Sequence, residues 1–472
     1  MKNKFISSLF SSGLQAIAIQ VIGVVFFLIT ARFLPKSELG LFNWSNAVAT
    51  FLIIIIGLGL EQSVTRRVAI SKNADWVITS YFLHTLFVSA VTLTLICLLH
   101  YFLKDNEKLS ILPYVFLGQA ILYIGSPFKQ FLNAKERYTP YGVIAVISNI
   151  TKVVIAVVLI LTKSFDINKV IYTIIGCSAF EFIALFAYLK TKMKWQFVFK
   201  QIAYFKLLKE SVPLYISAIF DSSLSRMDWI LLGLISTEII TAEYSFAYRG
   251  YEVAKLPLQI IGLVILPKFI RLFPNQFTLS DQRKKDIQNF LSIELFFAFM
   301  IVLSLNIIWQ PWVAVITNGK YGSTNALIFF ILSLCLPLHF FINMLWTLCY
   351  AGKKYKQISS ITISIAIINI ILNLLLIPFL GGLGAAIAYL AATFIQAIVY
   401  YYIIHHSLMR FSFIHFLSFA VIGTAAYFIS IFATQIVIVR VLIATLVYLF
   451  LSVLLKQVNK ELLQNLKHYL RR

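Results

Sequence analysis

The sequence predicts an all-α integral membrane protein of about fourteen transmembrane helices. Three observations predict it: an apolar composition, basic residues confined to short gaps, and an internal repeat. Of the 472 residues, 60% are hydrophobic, 15% aromatic and 12% charged. A bilayer span takes roughly 20 residues, so this apolar stock furnishes about fourteen spans and little else. A soluble chain carries about twice the charged fraction. Those proportions exclude a water-soluble enzyme and a disordered chain. The net charge of +22 would suit nucleic acid if it lay on one face of a soluble domain. Here Lys and Arg punctuate apolar runs, the pattern of membrane topology.

The N-terminus, MKNKFISSLF, has a signal-like basic start. No small-residue cleavage site follows a short core, so the run 11–33 reads as a retained first helix. Further windows of spanning length fall at 41–60, 76–102, 110–131, 141–162 and 169–189, then at 211–236, 241–268, 288–310 and 324–350. The last four are 357–379, 383–405, 411–432 and 436–456. Their continuous apolar character suits helices, because a membrane barrel would alternate over about ten residues.

With the N-terminus in the cytoplasm, Lys and Arg on that side outnumber those outside about fourfold, and the alternation survives all fourteen windows. Both termini of this multi-pass protein are therefore expected in the cytoplasm. External loops are short, the longest around Gln310–Ser323. The cytoplasmic connectors 190–210 and 269–287 are longer. The first mixes Lys with Trp195, Phe197, Phe199 and Tyr204, a composition expected to lie on the membrane surface against anionic lipid.

The repeat supports a division at that connector. AKERY at Ala134–Tyr138 and AGKKY at Ala351–Tyr355 follow spans four and ten. GLF at Gly40–Phe42 and AEY at Ala242–Tyr244 match more weakly, each opening the second span of its half. The expected organisation is an N-terminal six-helix lobe (1–189), a cytoplasmic linker (190–210), a C-terminal six-helix lobe (211–405), then two extra helices and a basic tail (406–472). Duplication of this kind is common among secondary transporters.

Ionisable residues inside the bilayer need a partner or a wet cavity. The seventh and eighth windows carry Asp221, Arg226, Asp228, Glu243, Arg249, Glu252 and Lys255. In an antiparallel hairpin turning near Thr237–Ile239, Asp221 falls level with Lys255, Arg226 with Glu252 and Asp228 with Arg249. At 1.5 Å per residue they lie roughly 10–20 Å below the outer boundary. Asp221 and Asp228 share a face, whereas Arg226 points about 140° away, so the three pairs do not all close within one hairpin. One reading makes them internal ion pairs. The other makes Arg226, Arg249 and Lys255 a positive lining for an anionic substrate, with Asp221, Asp228 and Glu252 as counter-charges or ion-coupling groups.

Lys152 and Glu181 repeat that arrangement in the first lobe, as a further cation and counter-charge. Glu294, about six residues inside its window, is expected to reach the interface. Gln15, Gln20, Asn43 and Asn46 suit hydrogen bonds between helices and equally suit sugar hydroxyls. Pro257 and Pro337 mark breaks or bends.

Cys97, Cys177, Cys335 and Cys349 lie inside apolar runs without a CxxC pair and read as packing residues. The seven His residues form no HExxH and no paired ligand spacing, and no GxxxxGK[ST] loop occurs. No metal, cofactor or nucleotide chemistry is indicated. A glycan polymerase or ligase would place catalytic groups on a sizeable external loop, and these loops are small. Transport is the class that remains.

Three stretches resemble polysaccharide-biosynthesis flippases of the O-antigen translocase type. They are GLFNWSNAVATFLIIIIGLGLEQSVTRRVA (40–69), AEYSFAYRGYEVAKLPLQIIGLVILPKFIRL (242–272, with Tyr244, Ala247, Tyr248 and Pro267) and NIILNLLLIPFLGGLGAAIAYLAATFIQAIVYYY (369–402, with Asn373, Gly381, Gly384, Ala385, Ala386 and Ala388). The resemblance places the chain in the multidrug/oligosaccharidyl-lipid/polysaccharide exporter superfamily. It implies two pseudo-symmetric six-helix lobes around a central cavity. It also implies flipping of an undecaprenyl-diphosphate-linked oligosaccharide, an O-antigen or other lipopolysaccharide repeat unit, from the cytoplasmic to the periplasmic leaflet by alternating access.

The implied partners are that lipid-linked oligosaccharide, membrane lipids and polymerase or chain-length proteins of the pathway. A proton or sodium gradient is the implied energy source. Lipid II flippases of the superfamily carry basic groups on their first two spans. Here those spans hold Gln15, Gln20, Asn43 and Asn46 between the marginal Arg32 and Arg66, a departure that argues against lipid II. A drug or cation exporter, or a flippase for another lipid-linked glycan precursor, is the alternative.

Overall fold

A backbone inside hydrocarbon has no water to bond, so each apolar run satisfies its own donors and acceptors by coiling into a helix. The computed structural model describes residues 2–71, 74–258, 281–407, 409–410, 413–455 and 457; for 2–14 and 16 it describes the backbone alone. The end of window 241–268 with Pro267, most of the connector 269–287 and the basic tail lie outside the described residues. Among the described residues there are helices and no strands.

The helices are α1 (Lys2–Phe33), α2 (Lys36–Gly57), α3 (Leu60–Ile70), α4 (Asp75–Phe102), α5 (Leu112–Ala134), α6 (Tyr138–Leu161) and α7 (Ile167–Lys192). They continue with α8 (Gln201–Ile235), α9 (Glu238–Ala254), α10 (Asp281–Ile316), α11 (Ala326–Ala351), α12 (Tyr355–Ser407), α13 (Ile414–Ala433) and α14 (Val437–Leu454). Ten helical stretches among the described residues are long and apolar enough to cross a membrane, and Ile17–Phe33 is a shorter apolar stretch. Helix α8, which carries Asp221, Arg226 and Asp228, is not among those ten. Windows 357–379 and 383–405 form the two halves of α12, broken at Gly381 (φ 53°, ψ −128°). A Cβ on Gly384 would overlap the Leu376 carbonyl, so the two halves approach closely because that residue is glycine.

The chain divides into two compact units, Met1–Ala242 and Glu243–Arg472. In the first, α8 packs on α2 and α3, whereas the sequence reading set the boundary at 190–210. The cause is local. Gly59 (φ 69°) leaves no side chain where the Tyr215 amide and Ser211 carbonyl approach, at 2.7 and 2.9 Å from an ideal Cβ. Trp44 Nε1 donates to the Ile230 carbonyl at 3.2 Å. Lys108 Nζ donates to the Gly233 carbonyl at 2.6 Å and pairs with Glu238 at 3.5 Å, a cation placed where helix carbonyls run unsatisfied.

Segment 190–210 is only partly a linker, since α7 extends to Lys192 and α8 begins at Gln201. Trp195 is buried rather than laid against lipid. Its ring centroid lies 5.6 Å from that of Phe128 and 6.2 Å from those of Phe82 and Phe186. Tyr204 meets His84 Nδ1 through its hydroxyl at 2.8 Å, and His84 Nε2 lies 2.9 Å from the Ile56 carbonyl. Phe197, Phe199, Ile202 and Phe205 stay exposed and keep the expected amphipathic character.

In the second unit α11 packs on α10 and α12, and α13 and α14 pack on each other and on α10. Trp309 stacks on Phe329 with centroids 3.6 Å apart, and Phe246 stacks on Tyr321 at 4.4 Å. Gly250 admits the Trp309 ring, which a Cβ there would overlap. Cys177, Cys335 and Cys349 are buried and Cys97 is exposed. Pro337 lies within α11 without ending it, whereas α9 ends one residue before Lys255, two residues ahead of Pro257.

Candidate functional site: intramembrane charges of each unit

Four charges of alternating sign run through the first unit. Glu61, at the start of α3, receives a hydrogen bond from Gln130 Nε2, and Gln130 Oε1 accepts from the Thr65 hydroxyl at 2.9 Å. Lys129 on α5 interacts with both Glu61 and Glu181, and its ammonium sits 5.1 Å from the Tyr141 ring centroid. Glu181 on α7 interacts with Lys152 on α6. Lys152 Nζ donates to Asn149 Oδ1 at 3.1 Å, and the Ser148 hydroxyl lies at the Glu181 carboxylate and the Cys177 carbonyl. Each of the four charges thus has a neighbour of opposite sign on another helix; Lys129, Lys152 and Glu181 are half-buried and Glu61 is exposed.

Lys152 and Glu181, placed at related depths by the sequence, lie on neighbouring helices close enough to interact. Lys129 and Glu61 were missed. Lys129 stands two residues from the end of the apolar window 110–131, and α5 continues past it to Ala134, which keeps that ammonium on a helix. The readable signal was that Lys129 still falls inside the window.

The polar residues of the first two spans divide. The Gln15 side chain lies against Gly142 of α6, where a Cβ would collide with it. Asn46 Oδ1 accepts from Gln119 Nε2 at 2.7 Å, and Asn43 is buried. Gln20 is exposed. Asp221, Arg226 and Asp228 lie on α8. Asp221 is exposed, Asp228 is buried and accepts from the Trp229 amide at 2.9 Å, and the Arg226 guanidinium lies 5.4 Å from the Trp229 ring centroid. That ring contact is a cation–π arrangement.

In the second unit Arg249 Nη1 pairs with Glu252 Oε2 at 2.6 Å, one turn along α9, and both side chains are about one-third exposed. The Lys255 ammonium lies 5.7 Å from the centroid of Tyr251. Tyr251 belongs to a ring cluster with Tyr248, Tyr389 and His339, in which His339 Nε2 meets the Tyr389 hydroxyl at 3.1 Å. The expected hairpin therefore contributes its two arms to different units: Asp221, Arg226 and Asp228 to the first, and Arg249, Glu252 and Lys255 to the second. Glu294 does not reach an interface. It is 2% exposed, and neither carboxylate oxygen has a partner. Its helix turns that position inward, along the stripe of Leu291, Leu295 and Ala298.

A family model described as polysaccharide biosynthesis protein matches residues 5–273. The chain belongs to that family. Among solved structures, the family member is similar to the lipid II flippase MurJ in an inward closed conformation, with a TM-score of 0.76 and 17% identity. That alignment covers 94% of this chain and 98% of MurJ. It is similar to an inward-facing multidrug resistance MATE family transporter of the MOP superfamily, with a TM-score of 0.62, 15% identity and 81% and 92% covered. It is also similar to a MOP superfamily transporter from Pyrococcus furiosus, at 0.58, 15% identity and 83% and 93% covered. No curated protein matches the sequence significantly. At these identities the likeness defines the fold, which is that of the MurJ and MATE transporters.

Among the described residues no group of three or more His, Cys, Asp or Glu side chains could hold a metal ion. What the family member offers instead is cationic side chains on helices, beside aromatic faces or carboxylates. Guanidinium groups give paired donors in a fixed fork, suited to phosphate oxygens.

Proposed function

We propose that this protein is a flippase for an undecaprenyl-diphosphate-linked oligosaccharide, the repeat unit of an O-antigen or similar surface polysaccharide. It moves the headgroup from the cytoplasmic to the outer leaflet of the bacterial inner membrane by alternating access, without chemistry on the cargo. The match of the polysaccharide biosynthesis model to residues 5–273 carries this reading. The shared fold of a lipid II flippase supports a lipid-linked cargo.

Physical chemistry favours the same cargo. A diphosphate is too strongly hydrated to cross hydrocarbon unaided. Lys152 and Arg226 of the first unit, and Arg249 and Lys255 of the second, are each cations of the kind that replaces lost hydration by charge-assisted hydrogen bonds, while the polyprenyl tail stays in lipid. Gln20, Asn43 and Asn46 are contacts for sugar hydroxyls, and the lack of basic groups at the heart of the first two spans points away from lipid II. Asp221, Asp228, Glu252 and Glu181 balance the cations when no cargo is bound.

The competing reading, a drug or cation exporter, draws on the MATE neighbours. It calls for a predominantly acidic lining, whereas bases stand among these charges in comparable number. Deleting the gene and extracting lipids tests the choice. A flippase leaves a lipid-linked oligosaccharide on the cytoplasmic leaflet and depletes surface polymer. Unchanged polymer together with a gain in drug sensitivity would overturn the proposal in favour of the exporter.

A further inference from the structure

Glu294 occupies a core position of α10. Ile287, Leu291, Ala298 and Trp309 share its stripe at helical spacing, and all four are buried. At its far end the stripe packs Trp309 on Phe329 of α11 and over Gly250 of α9. The carboxyl therefore sits in a packed seam of the second unit, 2% exposed, with no hydrogen bond or ion pair at either oxygen.

Among the described residues the helices around α10 bring no charge to it. On α11, the contacts of Asn306 with Ser333 and of Trp309 with Phe329 set Leu345 level with Glu294. The nearest titratable groups there are Cys349, Tyr350 and His339, and His339 is engaged with Tyr389. On α13, whose Phe419 and Phe416 meet Phe296 and Phe299, no titratable residue lies between His415 and Tyr427. On α14, Tyr448 donates its hydroxyl to the Phe296 carbonyl at 3.0 Å. On α9, Glu252 and Lys255 follow Gly250, and Lys255 falls at least about ten residues, or 15 Å, short of the level of Glu294. The sequence from Leu256 to Pro267 has no titratable side chain, and Lys268 beyond it lies outside the described residues.

An ionised carboxylate so enclosed would forgo hydration with no compensating bond. We infer that Glu294 is a proton-binding site, neutral while the seam is packed and exchanging its proton when helices α9, α10 and α11 part. The seam includes α9, the helix that bears Arg249, Glu252 and Lys255. Proton release is thereby tied to movement of the element proposed to hold the cargo diphosphate. That coupling, though not the proton site itself, rests on the flippase reading, and it assigns the coupling ion to Glu294 instead of Asp221, Asp228 or Glu252.

Infrared difference spectra of the purified full-length protein, recorded across steps of pH in H2O and D2O, test the site directly. Wild type should show a protonated-carboxyl stretch that is lost in Glu294→Gln and shifts on addition of undecaprenyl diphosphate. Glu294→Gln keeps the shape of the neutral acid and should reach wild-type abundance. In cells it should give surface polymer independent of external pH, where wild type varies. An identical carboxyl band in both proteins, or superimposable pH profiles, overturns the inference. If gene deletion leaves polymer intact while the band still disappears in Glu294→Gln, the flippase reading fails and the proton site stands.

Discussion

Glu136 and Lys353 hold the same left-handed backbone conformation, at φ 55° and 56°, in equivalent places of two helix-ending turns. In the first, the Glu136 amide bonds the Asn133 carbonyl at 3.0 Å and the Arg137 amide bonds the Leu132 carbonyl at 2.8 Å. In the second, Lys353 bonds Tyr350 at 3.0 Å and Lys354 bonds Cys349 at 2.9 Å. This is the helix-terminating pattern usually given to glycine. The repeat seen in the sequence at Ala134–Tyr138 and Ala351–Tyr355 is thus a repeat of geometry, one turn in each unit.

A left-handed residue with a side chain is disfavoured by roughly 1–2 kcal/mol, partly offset because glycine loses more freedom on folding. Glu136→Gly and Lys353→Gly should therefore raise stability by up to about 1 kcal/mol. Replacement by Val, which tolerates that conformation poorly, should lower it by about as much. Thermal unfolding of the purified protein in detergent reads both changes.

At Gly40 a Cβ would overlap the carbonyl of Glu238 and come within 3.2 Å of the Ala242 amide. Both obstacles are backbone, so the beginnings of α2 and α9 must move apart. Gly40→Ala should cost about 1–3 kcal/mol and reduce membrane abundance. Gly23, with nothing within 4 Å of its Cβ position, supplies the comparison, and Gly23→Ala should leave abundance unchanged.

Lys152 and Glu181 are half-buried neighbours on α6 and α7. Removing one leaves the other without its counter-charge. Lys152→Met and Glu181→Gln should each destabilise more than half as much as the double variant, with a coupling of about 1–2 kcal/mol. Additive effects in a thermal-stability cycle would show that the two act independently.

Arg249 and Glu252 are one turn apart on one helix, an arrangement worth only about 0.2–0.5 kcal/mol to folding. Arg249→Ala should therefore keep normal membrane abundance while surface polymer falls at least about tenfold, the effect expected from a lost charge-assisted phosphate contact. Arg226→Ala should do the same. Matching losses of polymer and abundance, measured by immunoblot and polysaccharide gel, would assign these residues to folding instead.

Asp166 caps α7, its carboxylate accepting from the Lys169 amide at 2.9 Å. That bond and the Lys169 ammonium hold its pKa below the ordinary Asp value. A depressed folded-state pKa gives stability that is present above the unfolded value, near 3.9, and lost as pH falls through the folded one. Asp166→Ala should cost about 1 kcal/mol near neutrality, and its deficit should shrink on acidification below about pH 4. A deficit constant with pH would remove the charge from the argument.

What the chain alone determined is what hydrophobicity and local bonding dictate. The length of each apolar run made it a helix. Turn residues such as those at Ala134–Tyr138 stopped the helices where they fell, and the depth match of Lys152 and Glu181 was legible because position along a helix is proportional to residue number. Tertiary structure decided everything that depends on azimuth and on close approach. Gly59 admits α8 to the first unit, Lys129 extends the charge chain because α5 carries it to the level of Glu61 and Glu181 on neighbouring helices, and Glu294 is sealed instead of reaching the surface. Residue number reports height along an axis, but which neighbour a side chain meets at that height depends on how helices distant in sequence are packed around it.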